Sequence, residues 1–168
     1  MDVIQTLIDE KQINKRINEI ADSISNTYEE IIVIVVLKGA FMFASDLVKN
    51  FTIDTKIDFI KVSSYYDTKV TNELTINDDI TIDIKDKDVL IIEDIIDTAN
   101  TISYLIKHFK DKQPKSLKVC TLLDKPSKRQ VAFKADYTCF EVEDHFIVGY
   151  GLDYQQKYRN LKYIGILE

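Results

Sequence analysis

Three carboxylates and a short run of small residues follow an apolar stretch in the middle of the chain. The apolar residues 89–92 lead directly into Glu93 and Asp94, and Asp97 comes three residues later. Residues 98–101 are small and mostly polar. Unpaired N–H groups at the start of a helix bind phosphate, whereas carboxylates bind sugar hydroxyls or a metal ion. The types and order of these residues therefore indicate a site for a ribose phosphate.

The elements on either side predict how these residues are held. An uninterrupted apolar run such as 89–92 is typical of a parallel strand that is buried on both faces. Apolar side chains recur at helical spacing through 102–109 and predict an amphipathic helix, with its N-cap among the threonines or at Asn100. The carboxylates would then lie in a turn at the carboxyl end of the strand, where open α/β sheets bind ligands. The pattern alone leaves an ordinary solvated strand end as the alternative.

The same order of strand and polar turn occurs twice more. Apolar residues 31–37 predict a second buried strand, which runs into Lys38 and Gly39 before helical spacing resumes at 41–48. Residues 117–123 predict another parallel strand, which ends just before Lys125. A lysine at a strand end is often only a solvated surface residue. Here both lysines would face the same crevice as the carboxylates, where an ammonium group can bind an anion.

The remaining segments are expected to build the fold around this crevice. They are an amphipathic helix at 10–27, strands at 56–63, 80–84 and 163–166, a polar loop at 64–73, and a small cap built from short apolar pieces at 131–147. Together they predict an α/β fold with a parallel core sheet flanked by helices.

The composition limits the classes of protein that fit. With 168 residues, of which 45% are hydrophobic, the chain is expected to form one domain. A formal net charge of -6 argues against a nucleic-acid surface, and we expect no membrane span and no signal peptide. Cys120 and Cys139 are expected to be buried thiols, and two scattered histidines do not suggest a zinc site. A cytoplasmic protein is the expectation.

Residues 93–98, Glu-Asp-Ile-Ile-Asp-Thr, resemble the phosphoribosyl-pyrophosphate (PRPP) motif of type I phosphoribosyltransferases, in particular of the hypoxanthine-guanine group. Lys38-Gly39 resembles the pyrophosphate loop of that family, and residues 146–154 resemble its base-binding hood. The family usually has Gly where this chain has Ala99. The resemblance implies one phosphoribosyltransferase domain over 1–168, with a small C-terminal hood from about 125–168 plus the N-terminal segment.

The resemblance also implies a role for each residue of the site. Asp97 would act as general base or electrostatic partner of the attacking purine nitrogen. The ribose hydroxyls of PRPP would be bound by Glu93 and Asp94. Its 5′-phosphate would be bound by Thr98, Ala99, Asn100 and Thr101, and its pyrophosphate by Lys38, Gly39 and Arg159. The purine would be bound by Lys125, Phe146 and Ile147. Ser64 and Tyr65 would belong to a flexible lid, and Mg²⁺ would be held by Asp153 with Glu93 and Asp94.

The implied reaction is purine salvage, in which PRPP and hypoxanthine give IMP and pyrophosphate, with guanine as a further substrate that gives GMP. The Lys125 ammonium can only donate hydrogen bonds, so it favours a 6-oxopurine over adenine. Two alternatives stay open: a non-catalytic PRPP-responsive regulator, and a phosphoribosyltransferase for pyrimidines or xanthine. Relatives in this family are commonly homodimers or homotetramers, and neither a nucleic acid nor a membrane is expected as a partner.

Overall fold

The computed structural model describes residues 4–67 and 70–167, and the side chains at 4, 64–67 and 70–73 are outside that description. Within these residues the strands are β1 (Ile4–Ile8), β2 (Glu30–Leu37), β3 (Asp54–Asp67), β4 (Val70–Asp78), β5 (Asp88–Ile96), β6 (Ser116–Asp124), β7 (Tyr137–Glu141), β8 (Ile147–Val148) and β9 (Ile164–Leu167). The helices are α1 (Glu10–Ser25), α2 (Phe41–Lys49) and α3 (Asn100–Lys110), with a 3-10 turn at Pro126–Lys128.

The strands form two sheets. The larger sheet has six strands in the order β4-β3-β2-β5-β6-β7, and all neighbouring pairs except β3 with β4 are parallel. The smaller sheet has the order β1-β9-β8 and is antiparallel. The predicted α/β fold, with a parallel core sheet flanked by helices, is confirmed.

Helices cover both faces of the large sheet because its central strands are apolar on both sides. Along β2, Val33 and Val35 pack into one core cluster with residues of α1 and α2 such as Phe43. The alternate residue Ile34 packs into a second cluster with Phe109 of α3. This division follows from the period of two along a strand. The carboxyl ends of β2, β5 and β6 lie at one edge of the sheet and are followed by loops.

Two segments differ from the prediction. Residues 64–67 and 70–73, expected as a polar loop, extend β3 and β4 of an antiparallel hairpin. A hairpin at the edge of a sheet can be polar, so its sequence lacks the apolar alternation that marks a buried strand. Residues 80–84, expected as a strand, are not one. The Asp58 carboxylate accepts hydrogen bonds from the N–H groups of Thr81 (2.6 Å) and Ile82 (2.9 Å) and thus replaces a strand partner.

The C-terminal third of the chain contributes to both sheets. β7, which lies inside the predicted cap at 131–147 and the predicted hood, pairs in parallel with β6 in the large sheet. The small sheet combines β1 with β8 and β9. Cys120 and Cys139 are buried free thiols. Over the described part of the chain, none of the helices combines the length and apolar character that a membrane crossing requires.

Candidate active site

Three of the predicted site residues lie at one edge of the large sheet because three neighbouring strands end there. β2, β5 and β6 are adjacent and parallel, so their carboxyl ends face the same side. Lys38 follows β2, Asp97 follows β5 and Lys125 follows β6. A cavity of about 200 Å³ at this edge is lined by Leu37, by residues 93–97 and by the start of α3. The end of β2 and the acidic residues of β5 thus line one crevice.

The acidic pair lies inside β5 and not in a turn, which corrects the expectation from sequence. Glu93 is in register with Thr121 of β6, and the strand continues to Ile96. Glu93 is only 6% exposed, while Asp94 is half-buried. Burial raises the pKa of Glu93 well above its usual range, and the Asp94 carboxylate adds to the rise. Burial also raises the pKa of Asp94. A cation or hydroxyl donors at this point would stabilise the ionised pair.

Residues 97–101, here called the phosphate loop, connect β5 to α3. The Asp97 side chain is exposed, and its Oδ1 accepts a hydrogen bond of 2.5 Å from the N–H of Thr98. The N-cap of α3 is Ala99, and neither a threonine nor Asn100, which again corrects the expectation. Ala99 has no side-chain oxygen to cap the helix. Within the loop, the N–H of Asn100 donates to Thr98 Oγ1 at 3.3 Å. The start of α3 therefore has no cap from the N-cap side chain, and its positive end remains suited to a phosphate oxygen.

Ala99 adopts a left-handed backbone conformation, with φ 67° and ψ 10°, and is buried. This conformation costs an L-residue about 1–2 kcal/mol and is the reason that glycine suits the position. The loop therefore keeps its shape with alanine, because the surrounding contacts hold it. The methyl group packs in the same cluster as Ile96 and Ile102.

We expect Ala99→Gly to change the free energy of unfolding by less than about 1 kcal/mol, because strain relief is offset by the lost methyl burial and by the freer unfolded chain. Ala99→Val should instead destabilise the protein by about 2 kcal/mol or more, since a β-branched residue tolerates neither the positive φ nor the tight space. Urea unfolding of both variants measures this. A valine variant as stable as the wild type would show that the backbone is not held in this conformation.

Lys38 and Arg159, which are far apart in the sequence, converge on one side-chain oxygen. The Leu37–Lys38 peptide bond is cis. Gln156 Oε1 lies 3.4 Å from Lys38 Nζ and 3.2 Å from Arg159 Nη2. Arg159 also pairs with Asp153 at 2.9 Å and donates to the carbonyl oxygen of Gly151 at 2.7 Å. Two cations that share one neutral oxygen form a site suited to an anionic oxygen.

The two glycines next to this site pack without space for a side chain. A Cβ on Gly39 would lie 1.6 Å from Asp94 Oδ2, and a Cβ on Gly151 would lie 2.1 Å from the carbonyl oxygen of Gly39. Gly151 also has a positive φ of 102°. The turn at Lys38 and Gly39 therefore sits directly between the acidic end of β5 and the C-terminal loop.

The three residues predicted to bind the purine lie along one segment of the structure. Lys125 Nζ donates to the carbonyl oxygen of His145 at 2.5 Å, directly before Phe146 in the chain. Phe146 is 53% exposed, and its ring meets that of Tyr154 edge-on with centroids 5.4 Å apart. Ile147 is buried in β8, an edge strand of the small sheet. An exposed ring next to an ammonium group can stack on a flat base.

Two further predictions keep that status. The main chain of Ser64 and Tyr65 lies in β3, but their side chains are outside the described part of the chain. Among the described residues, no group of three or more His, Cys, Asp or Glu side chains is close enough to hold a metal by itself. Mg²⁺ needs only one or two carboxylates when waters and substrate phosphates complete its shell, so the acidic pair and Asp153 are of the right chemical type.

Sequence reasoning missed two long-range contacts of the C-terminal loop. Gln156 carried no signal, because a polar residue in a C-terminal loop is ordinary. Tyr150, whose hydroxyl donates to Asp46 Oδ2 of α2 at 2.5 Å, had no role of its own within residues 146–154, which resemble the base-binding hood. Burial, followed by this hydrogen bond, raises the pKa of Tyr150. Both contacts join residues more than 100 positions apart, and no local pattern encodes such pairs.

Residues 4–155 match the family model of the phosphoribosyl transferase domain, and the chain belongs to this family. Among its relatives, the hypoxanthine-guanine phosphoribosyltransferase of Bacillus subtilis is 45% identical over an alignment of 170 positions. The alignment covers 99% of this chain and 94% of that protein. The resemblance inferred from the motifs is confirmed.

Solved structures agree with the relatives in sequence. The crystal structure of a hypoxanthine-guanine phosphoribosyltransferase from Bacillus anthracis has a TM-score of 0.94 and 44% identity, with 100% of both chains covered. The hypoxanthine phosphoribosyltransferase of Trypanosoma cruzi, solved in complex with the product IMP, has a TM-score of 0.92 and 38% identity, covering 98% of this chain and 94% of that one.

Proposed function

We propose that this chain transfers the 5-phosphoribosyl group of PRPP to hypoxanthine and to guanine, which gives IMP or GMP and pyrophosphate. The observation that carries the proposal is the convergence, at one sheet edge, of an acidic pair, an uncapped helix start and two cations. This set matches the three parts of PRPP, a diol, a 5′-phosphate and a pyrophosphate. The names of the relatives in sequence and structure support the same reaction.

The leaving group is the first chemical requirement. Bond breaking at the anomeric carbon places positive charge on the ribose ring and negative charge on pyrophosphate. Lys38 and Arg159 already share one oxygen partner, Gln156. They are therefore placed to stabilise the developing negative charge, and preorganised charges of this kind supply much of an enzyme's rate enhancement.

The ribose is held from the other side. Glu93 and Asp94 would accept hydrogen bonds from its hydroxyls, while the amides of the phosphate loop and the hydroxyls of Thr98 and Thr101 bind the 5′-phosphate. Binding at both ends fixes the anomeric carbon, and such positioning lowers the entropic part of the barrier. The exposed Asp97 carboxylate extends from the same loop and would accept the proton of the attacking purine nitrogen.

Mg²⁺ is the expected cofactor. When bound, it would neutralise pyrophosphate charge, held by Asp153 together with Glu93 and Asp94. Burial raises the pKa of Glu93, so a cation nearby would stabilise the ionised form of the acidic pair.

We also propose that the protein is cytoplasmic and forms a homodimer or a homotetramer. Light scattering measures the mass of the assembly and distinguishes the two.

The specificity for 6-oxopurines is assigned to Lys125. Its side chain is 12% exposed and its ammonium is anchored at the carbonyl oxygen of His145, which leaves further N–H groups for a keto oxygen. Adenine presents an amino group at the same place, and two donors cannot pair. The ammonium therefore selects by an unfavourable contact as well as by a favourable one.

We expect Lys125→Ala to raise the KM for hypoxanthine by about tenfold or more, because a hydrogen bond to a charged group is lost, and to narrow the preference over adenine. Initial rates with hypoxanthine, guanine, xanthine and adenine measure both effects. Lys128→Ala is the matched control, because this exposed lysine pairs at 2.6 Å with Asp144, a carboxylate that also lies 3.8 Å from Lys125 Nζ. It therefore perturbs the ion pair while the Lys125 donor stays in place. If the ratio of the rate with adenine to the rate with hypoxanthine is unchanged in Lys125→Ala, the specificity must come from other residues.

A further inference from the structure

The Arg129 side chain donates hydrogen bonds to main-chain carbonyl oxygens at the start of the phosphate loop. Its side chain is 15% exposed and pairs through Nη2 with the Asp124 carboxylate, which is 7% exposed. Nη1 donates to the carbonyl oxygens of Ile96 (3.1 Å) and Asp97 (2.7 Å), and Nε donates to that of Phe133 (3.1 Å). One guanidinium thus joins a buried carboxylate to the loop that carries Asp97.

The neighbours of Arg129 bond the adjoining carbonyl groups. The N–H of Lys125 donates to the carbonyl oxygen of Ile96 at 2.8 Å, and the N–H groups of Gln130 and Val131 donate to that of Thr98 at 3.0 and 3.2 Å. Three consecutive carbonyl groups, those of residues 96–98, are therefore all held by residues 125–131. We call residues 124–131 the support segment.

The peptide group between Asp97 and Thr98 connects this support to the chemistry. The peptide is planar, and its C=O and N–H point in opposite directions. Its C=O accepts from Arg129, and its N–H donates to Asp97 Oδ1 at 2.5 Å. Arg129 therefore fixes the orientation of the N–H that in turn fixes the Asp97 carboxylate. In the same way, holding the carbonyl of Thr98 directs the N–H of Ala99 away from the support segment.

We propose that Arg129, anchored by Asp124, is a positioning residue that orients the Asp97 carboxylate and the amides of the phosphate loop. This inference rests on the proposed function, because it assumes the roles given there to Asp97 and to the loop. The support segment also contains Lys125, the residue proposed to bind the purine. It therefore also links the purine side of the site to the phosphate side through one short stretch of chain.

The contacts require arginine and not merely a cation. The planar guanidinium presents five N–H groups in a fixed fork, so it serves Asp124 and the carbonyl groups at once, whereas one ammonium cannot reach all of them. Arg129→Lys keeps a positive charge for the buried Asp124 and loses part of the fork. This substitution separates the positioning role from the cost of an unpaired buried carboxylate.

The chain offers a matched control in Arg16 of α1. Its Nε and Nη2 donate to the carbonyl oxygens of Cys139 (3.0 Å) and Thr138 (2.9 Å), and its Nη1 pairs with Glu19 at 2.8 Å. Arg16 thus also joins main-chain carbonyls to a carboxylate, with two carbonyls where Arg129 has three, but it supports β7 and not the phosphate loop. Arg16→Lys should therefore lower stability without changing the kinetics.

The test compares kcat, the KM for PRPP, the KM for hypoxanthine and the unfolding midpoint of the two variants and the wild type. For Arg129→Lys we expect kcat to fall about tenfold or more and the KM for PRPP to rise, because small displacements of reacting groups have effects of this size. The KM for hypoxanthine should change much less. Wild-type kinetics in Arg129→Lys, or equal kinetic losses in both variants, would overturn the inference.

A second substitution covers the case in which Arg129→Lys does not fold. Asp124→Asn keeps the shape of the side chain and weakens the anchor of the guanidinium, so the same split between the two KM values is expected, with a smaller loss of kcat. Unchanged kinetics in this variant would also overturn the inference. A failure of the proposed function is distinct, since the wild type itself would then form no nucleotide.

Discussion

Replacing Asp97 by asparagine should lower the rate of nucleotide formation by about a hundredfold or more, while PRPP binding stays close to that of the wild type. Asparagine has the same size and keeps an oxygen that can accept the hydrogen bond from the N–H of Thr98, which is 2.5 Å long in the structure. The loop should therefore keep its shape. What is lost is the negative charge and the capacity to accept a proton.

Two measurements on one sample test this expectation. Steady-state formation of IMP gives kcat, and calorimetry gives PRPP affinity. Asp111→Asn is a suitable control, because Asp111 is exposed at the other end of α3 and should leave both values unchanged. An Asp97→Asn variant with wild-type turnover would remove Asp97 from its assigned role. Loss of PRPP affinity together with turnover would indicate that Asp97 shapes the loop and does not act in the chemical step.

Gly39→Ala is the second substitution with a large expected effect. The added methyl group would lie 1.6 Å from Asp94 Oδ2 and 2.5 Å from its Cγ, so the carboxylate must move. On its other side the loop packs closely against Gly151, since the carbonyl oxygen of Gly39 lies 2.1 Å from the position that a Cβ of Gly151 would take. Movement of the loop away from Asp94 would therefore disturb this contact. We expect kcat/KM for PRPP to fall by about a hundredfold, as for a displacement of reacting groups of about 1 Å.

The test must separate displacement from unfolding. The unfolding midpoint and the KM for PRPP are measured for Gly39→Ala and for Ser45→Ala, a substitution at an exposed position of α2. Gly39→Ala should give a folded protein with weak PRPP binding, while Ser45→Ala should change neither the unfolding midpoint nor the KM for PRPP. A Gly39→Ala variant that binds PRPP normally would mean that Asp94 does not need its position beside the loop.

Those parts of the fold with a local apolar pattern were predictable. β2 and β5 are uninterrupted apolar runs, and the buried residues of α1 are the five whose spacing predicted that helix: Ile13, Ile17, Ile20, Ala21 and Ile24. Lysines and carboxylates at the ends of apolar runs predicted the sheet edge at which the site lies, because parallel strands bring their carboxyl ends together.

The rest depends on contacts that no local pattern encodes. Glu93 and Asp94 lie within β5 because pairing with β6 continues past them to Ile96, although charged residues normally mark the end of a buried strand. Residues 80–84 have a strand-like composition, yet Asp58 takes the hydrogen bonds of two of their amides. The support segment could not be predicted either, since Arg129 acts on main-chain oxygens, which have no sequence signature.

Nucleotide formation by the wild-type protein, measured alongside its PRPP binding, tests the central claim most directly. With PRPP, Mg²⁺ and each of four bases in parallel, the account predicts IMP from hypoxanthine and GMP from guanine, with one pyrophosphate per nucleotide and no product from adenine. PRPP binding without product from hypoxanthine, guanine, xanthine or adenine would contradict the claim and would indicate a non-catalytic protein that responds to PRPP.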